Sequence, residues 1–239
     1  MQTGLYVAIS SQVALEKRLR TIADNVANAN TVGFRATEVK FEDVVTQSGS
    51  DSVAYVSPGS TYLSTISGPL KQTGNPLDFA IRGDAWFALE TPAGPVMTRD
   101  GRFSMLETGE LVSTEGYPVL DAGGAPIQLN PLDGPPVAGA DGMLRQNGQP
   151  LGAIGLFNFV PGPDFVRYGN SGIVPSGPPE AVVDNPEVGV VQGFVEESNV
   201  NPVKEMTRLI MVQRAFENAA AVMRDGDQAL GEAVKALGN

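Results

Sequence analysis

The two ends of the chain carry apolar or small residues at a seven-residue spacing. In the C-terminal stretch this pattern comprises Leu209, Phe216, Met223, Leu230 and Leu237, with Val212, Ala219, Gly226 and Ala233 three positions after the first four. Such a/d spacing predicts one long helix over residues 202–237 that packs against a partner helix. Asn201 as N-cap and Pro202 at the first helical position predict where that helix begins.

The N-terminal stretch repeats the pattern. Its a/d positions are Leu5, Ala8, Gln12, Leu15, Leu19, Ile22, Val26 and Ala29. They predict a helix over residues 1–30, with Thr3 as N-cap. Two matching stripes at opposite ends indicate that the helices pair with each other, with copies of themselves, or with both.

Apolar and small side chains also lie off both stripes, among them Ile9, Val13, Ala215, Ala220 and Val222. A pair of helices covers one seam and leaves such side chains in water, so the pattern favours a larger bundle built from several subunits. A simple antiparallel hairpin within one chain remains the alternative.

The middle of the chain, residues 68–193, shows short apolar runs between Gly and Pro turns, which is typical of β structure. Asp100-Gly101 and Glu115-Gly116 have the composition of two-residue hairpin turns. The sequence therefore predicts an α+β fold, in which a barrel-like or sandwich-like β domain is inserted into a coiled-coil domain. The predicted parts are the N-terminal helix 1–34, an extended linker 35–67, the β domain 68–193 and the C-terminal helix 194–239.

Composition narrows the possible chemistry. The chain of 239 residues has a net charge of −11, which argues against nucleic acid as a partner. It contains no Cys and no His, which removes disulfides, thiolate chemistry and the commonest general base. No apolar run reaches membrane-spanning length, and no cleaved Sec-type signal peptide is recognisable, so we expect no direct membrane insertion.

Four aspartates sit beside Gly or Pro turns: Asp100, Asp121, Asp133 and Asp141. This position indicates local hydrogen bonding to the backbone, and neither catalysis nor cofactor binding.

Several segments resemble the axial proteins of the bacterial flagellum, the rod and hook proteins. Residues 22–34 read IADNVANANTVGF, residues 98–103 read TRDGRF, and residues 198–210 read SNVNPVKEMTRLI. Asp24 stands where Asn is common in that family. The Trp86-Phe87 pair, within LDFAIRGDAWFAL at residues 77–89, is closer to the proximal-rod type than to the distal-rod or hook types.

The resemblance implies a structural subunit of the flagellar basal-body rod, which assembles helically into a hollow drive shaft. Its implied partners are copies of itself, other rod proteins including the distal rod protein, and the flagellar type III export apparatus. The implied location is the periplasm-spanning rod, reached without a cleaved signal peptide. A distal-rod or hook subunit is the main alternative, and an enzyme on a coiled-coil stalk is a weaker one.

The Asn-rich segment at residues 25–34 has two interpretations. It is either a frayed helix end with Gly33 as cap, or a contact site where small alanines admit a neighbouring backbone that the Asn amides bind. Together with the stripes it defines the predicted subunit-packing residues: Leu5, Leu15, Leu19, Ile22, Val26, Asn25, Asn28, Asn30, Gly33, Phe34, Met206, Leu209, Gln213, Phe216, Met223 and Leu230.

Overall fold

The protein is described by a computed structural model that covers residues 2–41, 43–48, 51–57, 59–183 and 185–237. Helix α1 spans Gln2–Ala27 and helix α2 spans Pro202–Leu237. Between them lie the strands β1 Thr37–Lys40, β2 Asp43–Ser48, β3 Asp51–Val56, β4 Ser60–Leu63, β5 Leu70–Gln72, β6 Phe79–Arg82, β7 Phe87–Thr91, β8 Gly94–Thr98, β9 Phe103–Met105, β10 Leu111–Ser113, β11 Val137–Ala138, β12 Met143–Gln146, β13 Gln149–Ala153, β14 Phe157–Asn158, β15 Val166–Tyr168, β16 Gly172–Val174, β17 Glu180–Ala181, β18 Gly189–Gln192 and β19 Phe194–Glu196. Two helices with many strands fit the predicted α+β class.

The chain forms two compact units, each built from separate stretches of sequence. The helical unit comprises Met1–Ala27, Thr37–Tyr62 and Asn201–Asn239, and the β unit comprises Asn28–Ala36 and Leu63–Val200. The stretch 35–67, expected to be an extended linker, contains strands β1 to β4. Residues 28–34, expected in the N-terminal helix, and residues 194–200, expected in the C-terminal helix, instead belong to the β unit.

In the helical unit, α1 packs against α2, with Ala14, Ile22 and Val212 buried. The predicted start of α2 is confirmed, because the Lys204 backbone N–H donates to the Asn201 side-chain oxygen over 3.0 Å. Coiled-coil pairing of the two helices stays a prediction.

Strands β2 and β3 form an antiparallel hairpin, and β3 packs against α1. Within the expected extended linker 35–67, the DSVAYV sequence of β3 pairs along its whole length with β2. This pairing supplies hydrogen-bond partners to the backbone groups on one edge of β3. Residues 42, 49, 50 and 58 of the expected linker lie outside the described part of the chain.

In the β unit, the strands pair in small sheets. The largest has the order β15-β16-β8-β7, another has the order β11-β12-β13, and the remaining strands pair in twos. No sheet closes into a barrel within the described residues, so the barrel-like prediction is wrong. The strands of this unit are only two to five residues long and are interrupted by turns, so none continues far enough to close a continuous sheet.

Two hydrophobic clusters form the core of the β unit, and the chain around β7 contributes to both. Phe87 and Leu89 belong to one cluster, whereas Trp86 and Ala88 belong to the other. This alternation follows from the two-residue period of an extended strand. Both faces of β7 are therefore buried.

The two predicted hairpin turns have different outcomes. A hairpin does form at Glu115-Gly116, but its loop has three residues, 114–116, and not the two predicted, because the Ser113 N–H donates to the Tyr117 carbonyl over 2.8 Å and Gly116 has φ +85°. The prediction of a hairpin at Asp100-Gly101 is wrong, because the strands on either side of it do not pair with each other. Strand β8 pairs with β7 and β16, whereas β9 pairs with β10. Gly101 instead allows a close backbone approach, since a Cβ there would lie 1.8 Å from the Phe79 carbonyl oxygen.

Candidate assembly surfaces

The helical unit places most of the predicted stripe residues partly or fully out of water. Ile22 is buried, and the stripe side chains that are half-buried are Leu15, Leu19, Val26, Leu209, Phe216 and Met223. The side chains of Leu5 and Leu230 lie outside the described part of the molecule. The described stripe side chains thus lie partly or fully out of water, and their role in packing between subunits stays a prediction.

A second apolar face lies on α2, away from the stripe. Met206 and Ile210 are 53% and 52% exposed, and Val203 is exposed beside them. Positions 203, 206 and 210 share one side of a helix, and the exposed Gln213 continues that side. This face has no covering group in the described chain, although each large apolar side chain gains about 1.5–3 kcal/mol from full burial.

Helix α1 also presents apolar side chains to solvent. Ile9 and Val13 are exposed and lie one turn apart, on the side away from buried Ala14 and Ile22. Glu16 and Arg20 follow on the same side and form an exposed i,i+4 ion pair of 2.5 Å. The helical unit therefore carries an uncovered apolar surface on each of its helices.

The three asparagines of the segment have different environments. Asn25 is buried, and its amide both donates to the Thr37 carbonyl and accepts from the Thr37 N–H, each over 2.9 Å. Asn28 accepts from the Thr31 hydroxyl over 3.1 Å, and Asn30 is exposed. The Asn25 amide is thus satisfied within the chain, where it ties α1 to β1.

Gly33 and Phe34 are held inside the β unit. Gly33 has φ +72°, and a Cβ at this position would lie 2.2 Å from the Asp100 nitrogen. Because α1 ends at Ala27, the prediction of Gly33 as its cap is wrong; its conformation serves this close approach instead. Phe34 is 1% exposed and packs under the Arg167 guanidinium, 4.3 Å from the ring centroid.

A buried ionic network joins this segment to the rest of the β unit. Glu196, 1% exposed, pairs with Arg35 over 2.9 Å through one oxygen and with Arg99 over 2.6 Å through the other. Arg99 also donates to the carbonyls of Gly83 and Ala85. Burial lowers the pKa of Arg99 from its ordinary value, although the Glu196 carboxylate opposes this shift.

Sequence reasoning missed this network. Arg99 was part of the TRDGRF motif and Glu196 fell within the predicted C-terminal helix 194–239, and the two residues lie 97 positions apart. The available signal was a charged residue next to short apolar runs, at Met97-Thr98-Arg99 and Phe194-Val195-Glu196. Charged residues in such positions are buried only when they are paired.

The described residues hold no group of three or more His, Cys, Asp or Glu side chains placed to bind a metal ion. None of their helices is both long and apolar enough to cross a membrane.

Family comparisons identify the class of protein. Residues 5–35 match the family described as "Flagella basal body rod protein". Residues 80–143 match the family "Flagellar hook protein FlgE/F/G D1 domain", and residues 191–236 match the family "Flagellar basal body rod FlgEFG protein C-terminal". The protein is thus a structural protein of the flagellar rod and hook class.

Individual relatives specify the member of that class. The chain is 70% identical to the flagellar basal-body rod protein FlgF of Mesorhizobium japonicum, over all of this chain and 99% of that one. It is 58% identical to FlgF of Rhizobium meliloti, with the same coverage. Identity falls to 32% with the rod protein FlgG of Bacillus subtilis, over 98% of each chain. The chain belongs to the FlgF family of flagellar basal-body rod proteins. These identities do not support the alternative of a distal-rod or hook subunit.

Proposed function

We propose that this protein is a proximal-rod subunit that assembles helically with copies of itself and with other rod proteins, including the distal rod protein. The observation that carries the proposal is the uncovered apolar surface on each helix of the helical unit. A chain in water gains free energy by covering such surfaces, and the relatives of this chain are named as rod proteins. Neighbouring helical units are the covering groups that fit both facts.

In the assembled rod, the two faces of each helix have different tasks. The stripe residues hold α1 and α2 together, and the outer faces around Ile9, Val13, Met206 and Ile210 contact adjacent subunits as a coiled-coil bundle around the channel. The exposed Gln213 lies at the border of these contacts.

Delivery to the periplasm-spanning rod proceeds through the flagellar type III export apparatus, without a cleaved signal peptide. Residues 5–35, which match the rod-protein family, are the segment that we expect the apparatus to recognise. Deletion of residues 5–35 should abolish secretion of the chain in an export-competent strain. Secretion of the truncated chain at the normal level would contradict this part of the proposal.

The assembly proposal is tested by placing a charge on the outer face of α2. Ile210→Asp should abolish rod assembly and motility, because the new carboxylate would be buried among apolar side chains. Asn218→Asp, which adds the same charge at an exposed polar position of the same helix, should leave both intact. Assembly is measured by counting rods in isolated basal bodies.

The isolated chain supplies the control for folding. Trp86, the single Trp of the chain, lies in the β unit and should show the same fluorescence in both variants. Normal rods in the Ile210→Asp strain, with the variant chain incorporated, would contradict the proposal. Site-specific photo-crosslinking from position 206 should capture neighbouring rod subunits, whereas position 218 should capture fewer.

A further inference from the structure

Residues 28–36 enter the β unit as a separate stretch and form hydrogen bonds with three other stretches of it, one of which is Arg167, whose guanidinium donates to the Arg35 carbonyl over 2.6 Å. The Gly33 N–H donates to the Glu196 carbonyl over 2.7 Å, and the Asn199 N–H donates to the Phe34 carbonyl over 3.3 Å. The Arg35 guanidinium donates to the Thr65 carbonyl over 2.9 Å and to the Ser67 hydroxyl over 3.0 Å. The segment is therefore held between residues 64–68 and residues 194–199.

The hydrophobic core of the β unit contains no residue of this segment. Every buried member of its two clusters lies between Leu63 and Val190. Phe34 is buried, but it packs against the Arg167 guanidinium and belongs to neither cluster. The apolar burial that stabilises the core is thus complete without residues 28–36.

The ionic network is also arranged so that the segment can leave without stranding a charge. Glu196 binds Arg35 through Oε1 and Arg99 through Oε2, and Oε1 also accepts from the Gly68 N–H over 3.0 Å. If Arg35 withdraws, Glu196 keeps Arg99 as its counter-charge and Gly68 as a donor. The large penalty for an unpaired buried charge therefore does not oppose opening.

We infer that residues 28–36 form a latch, which closes on a β core that folds without it and opens without unfolding that core. Closure brings the place where the chain enters the β unit to the place where it leaves. The Asn199 side chain accepts from the Ala36 N–H and donates to the Ile66 carbonyl, each over 2.7 Å. Opening the latch frees residues 28–36 and breaks their hydrogen bonds to Glu196 and Asn199, whereas β19 stays paired with β5. Such local opening is a known property of segments with few apolar contacts.

A matched pair of glycine substitutions tests the latch in the full-length chain. Gly33 and Gly74 have φ +72° and +74°, so Ala is strained equally at both. At Gly33 the added methyl group would meet the Asp100 backbone, whereas at Gly74 it would meet nothing within 4 Å. Gly33→Ala should therefore open the latch, and Gly74→Ala should report the effect of backbone strain alone.

Amide hydrogen exchange is the readout. In Gly33→Ala, the amides of residues 33, 36 and 199 should exchange at least about tenfold faster than in Gly74→Ala, and those of β7 and β8 should be unchanged. Trp86 fluorescence should shift as well, since the Arg35 guanidinium lies 5.8 Å from its ring. Equal acceleration in β7 and β8 would overturn the inference, because the segment would then belong to the folding core. Unchanged exchange at residues 33, 36 and 199 would overturn it as well.

Arg35→Gln provides a second route to the same state. It removes the ion pair to Glu196 without adding bulk, so it should accelerate exchange at residues 36 and 199 and leave the core strands protected. Loss of protection throughout the β unit in this variant would also contradict a separable latch.

Discussion

The helical unit and the β unit differ in the hydrophobic cores that they form. In the β unit, large side chains such as Phe79, Phe87 and Met97 are completely buried. In the helical unit, Met206 and Ile210 remain half in solvent although α1 and α2 already cover one face of each other. The β unit therefore has a full hydrophobic core within one chain, whereas we propose that neighbouring subunits complete the helical unit.

The two units also differ in net charge. The β unit carries seven Lys and Arg against sixteen Asp and Glu, whereas the helical unit carries nine against eleven. The near balance in the helical unit allows copies of it to approach closely without strong repulsion. Most of the net charge of −11 thus belongs to the β unit.

The largest expected effect comes from the ionic network of the β unit. Glu196→Gln should lower the free energy of unfolding by about 3–5 kcal/mol, because it leaves Arg35 and Arg99 buried without a counter-charge. Glu197→Gln is the control, because its ion pair with Lys71 is exposed and should contribute less than about 1 kcal/mol. Urea unfolding followed by Trp86 fluorescence measures both. Equal effects of the two substitutions would show that the buried network does not stabilise the unit.

A matched pair of isoleucines compares the two units directly. Ile81→Ala in the β unit, where Ile81 is 2% exposed, should cost about 2–5 kcal/mol of unfolding free energy. Ile210→Ala in the helical unit should change it by less than about 1 kcal/mol in the isolated chain, because Ile210 is already half in water. Urea unfolding with circular dichroism covers both units. A cost at Ile210 as large as that at Ile81 would show that the outer face of α2 is covered within the monomer.

A smaller effect is expected where α1 meets β1. Asn25→Ala removes two hydrogen bonds to Thr37 and should cost about 1–3 kcal/mol, because the Thr37 backbone groups lose their partner. The exchange rate of the Thr37 amide reports this loss locally. Asn30→Ala, at an exposed position, is the control and should leave that rate unchanged. Similar rates in both variants would mean that Asn25 does not hold the two elements together.

Local patterns in the sequence predicted the helices and some of the turns. The a/d stripes, with Asn201 and Pro202 at the start of α2, identified both helices, because periodicity and capping are properties of neighbouring residues. The Glu115-Gly116 turn was found for the same reason.

Local sequence patterns could not predict contacts between distant stretches of the chain. The Arg35–Glu196–Arg99 network joins positions up to 161 residues apart, so no spacing rule reveals it. Gly33 and Gly101 looked like cap and turn residues, although each permits a close approach to backbone elsewhere in the β unit. The sequence predicted a barrel-like or sandwich-like domain where small sheets form, because strand length and turn spacing do not specify which strands pair.

The most direct test of the contrast between the units is amide hydrogen exchange on the full-length chain, first as a dilute monomer and then in assembled rods. In the monomer, amides of α1 and α2 should exchange at least about a hundredfold faster than those of β7 and β8, and assembly should slow only the helical amides. Equal protection of helices and β core in the monomer, unchanged by assembly, would contradict the claim that neighbours complete the helical unit.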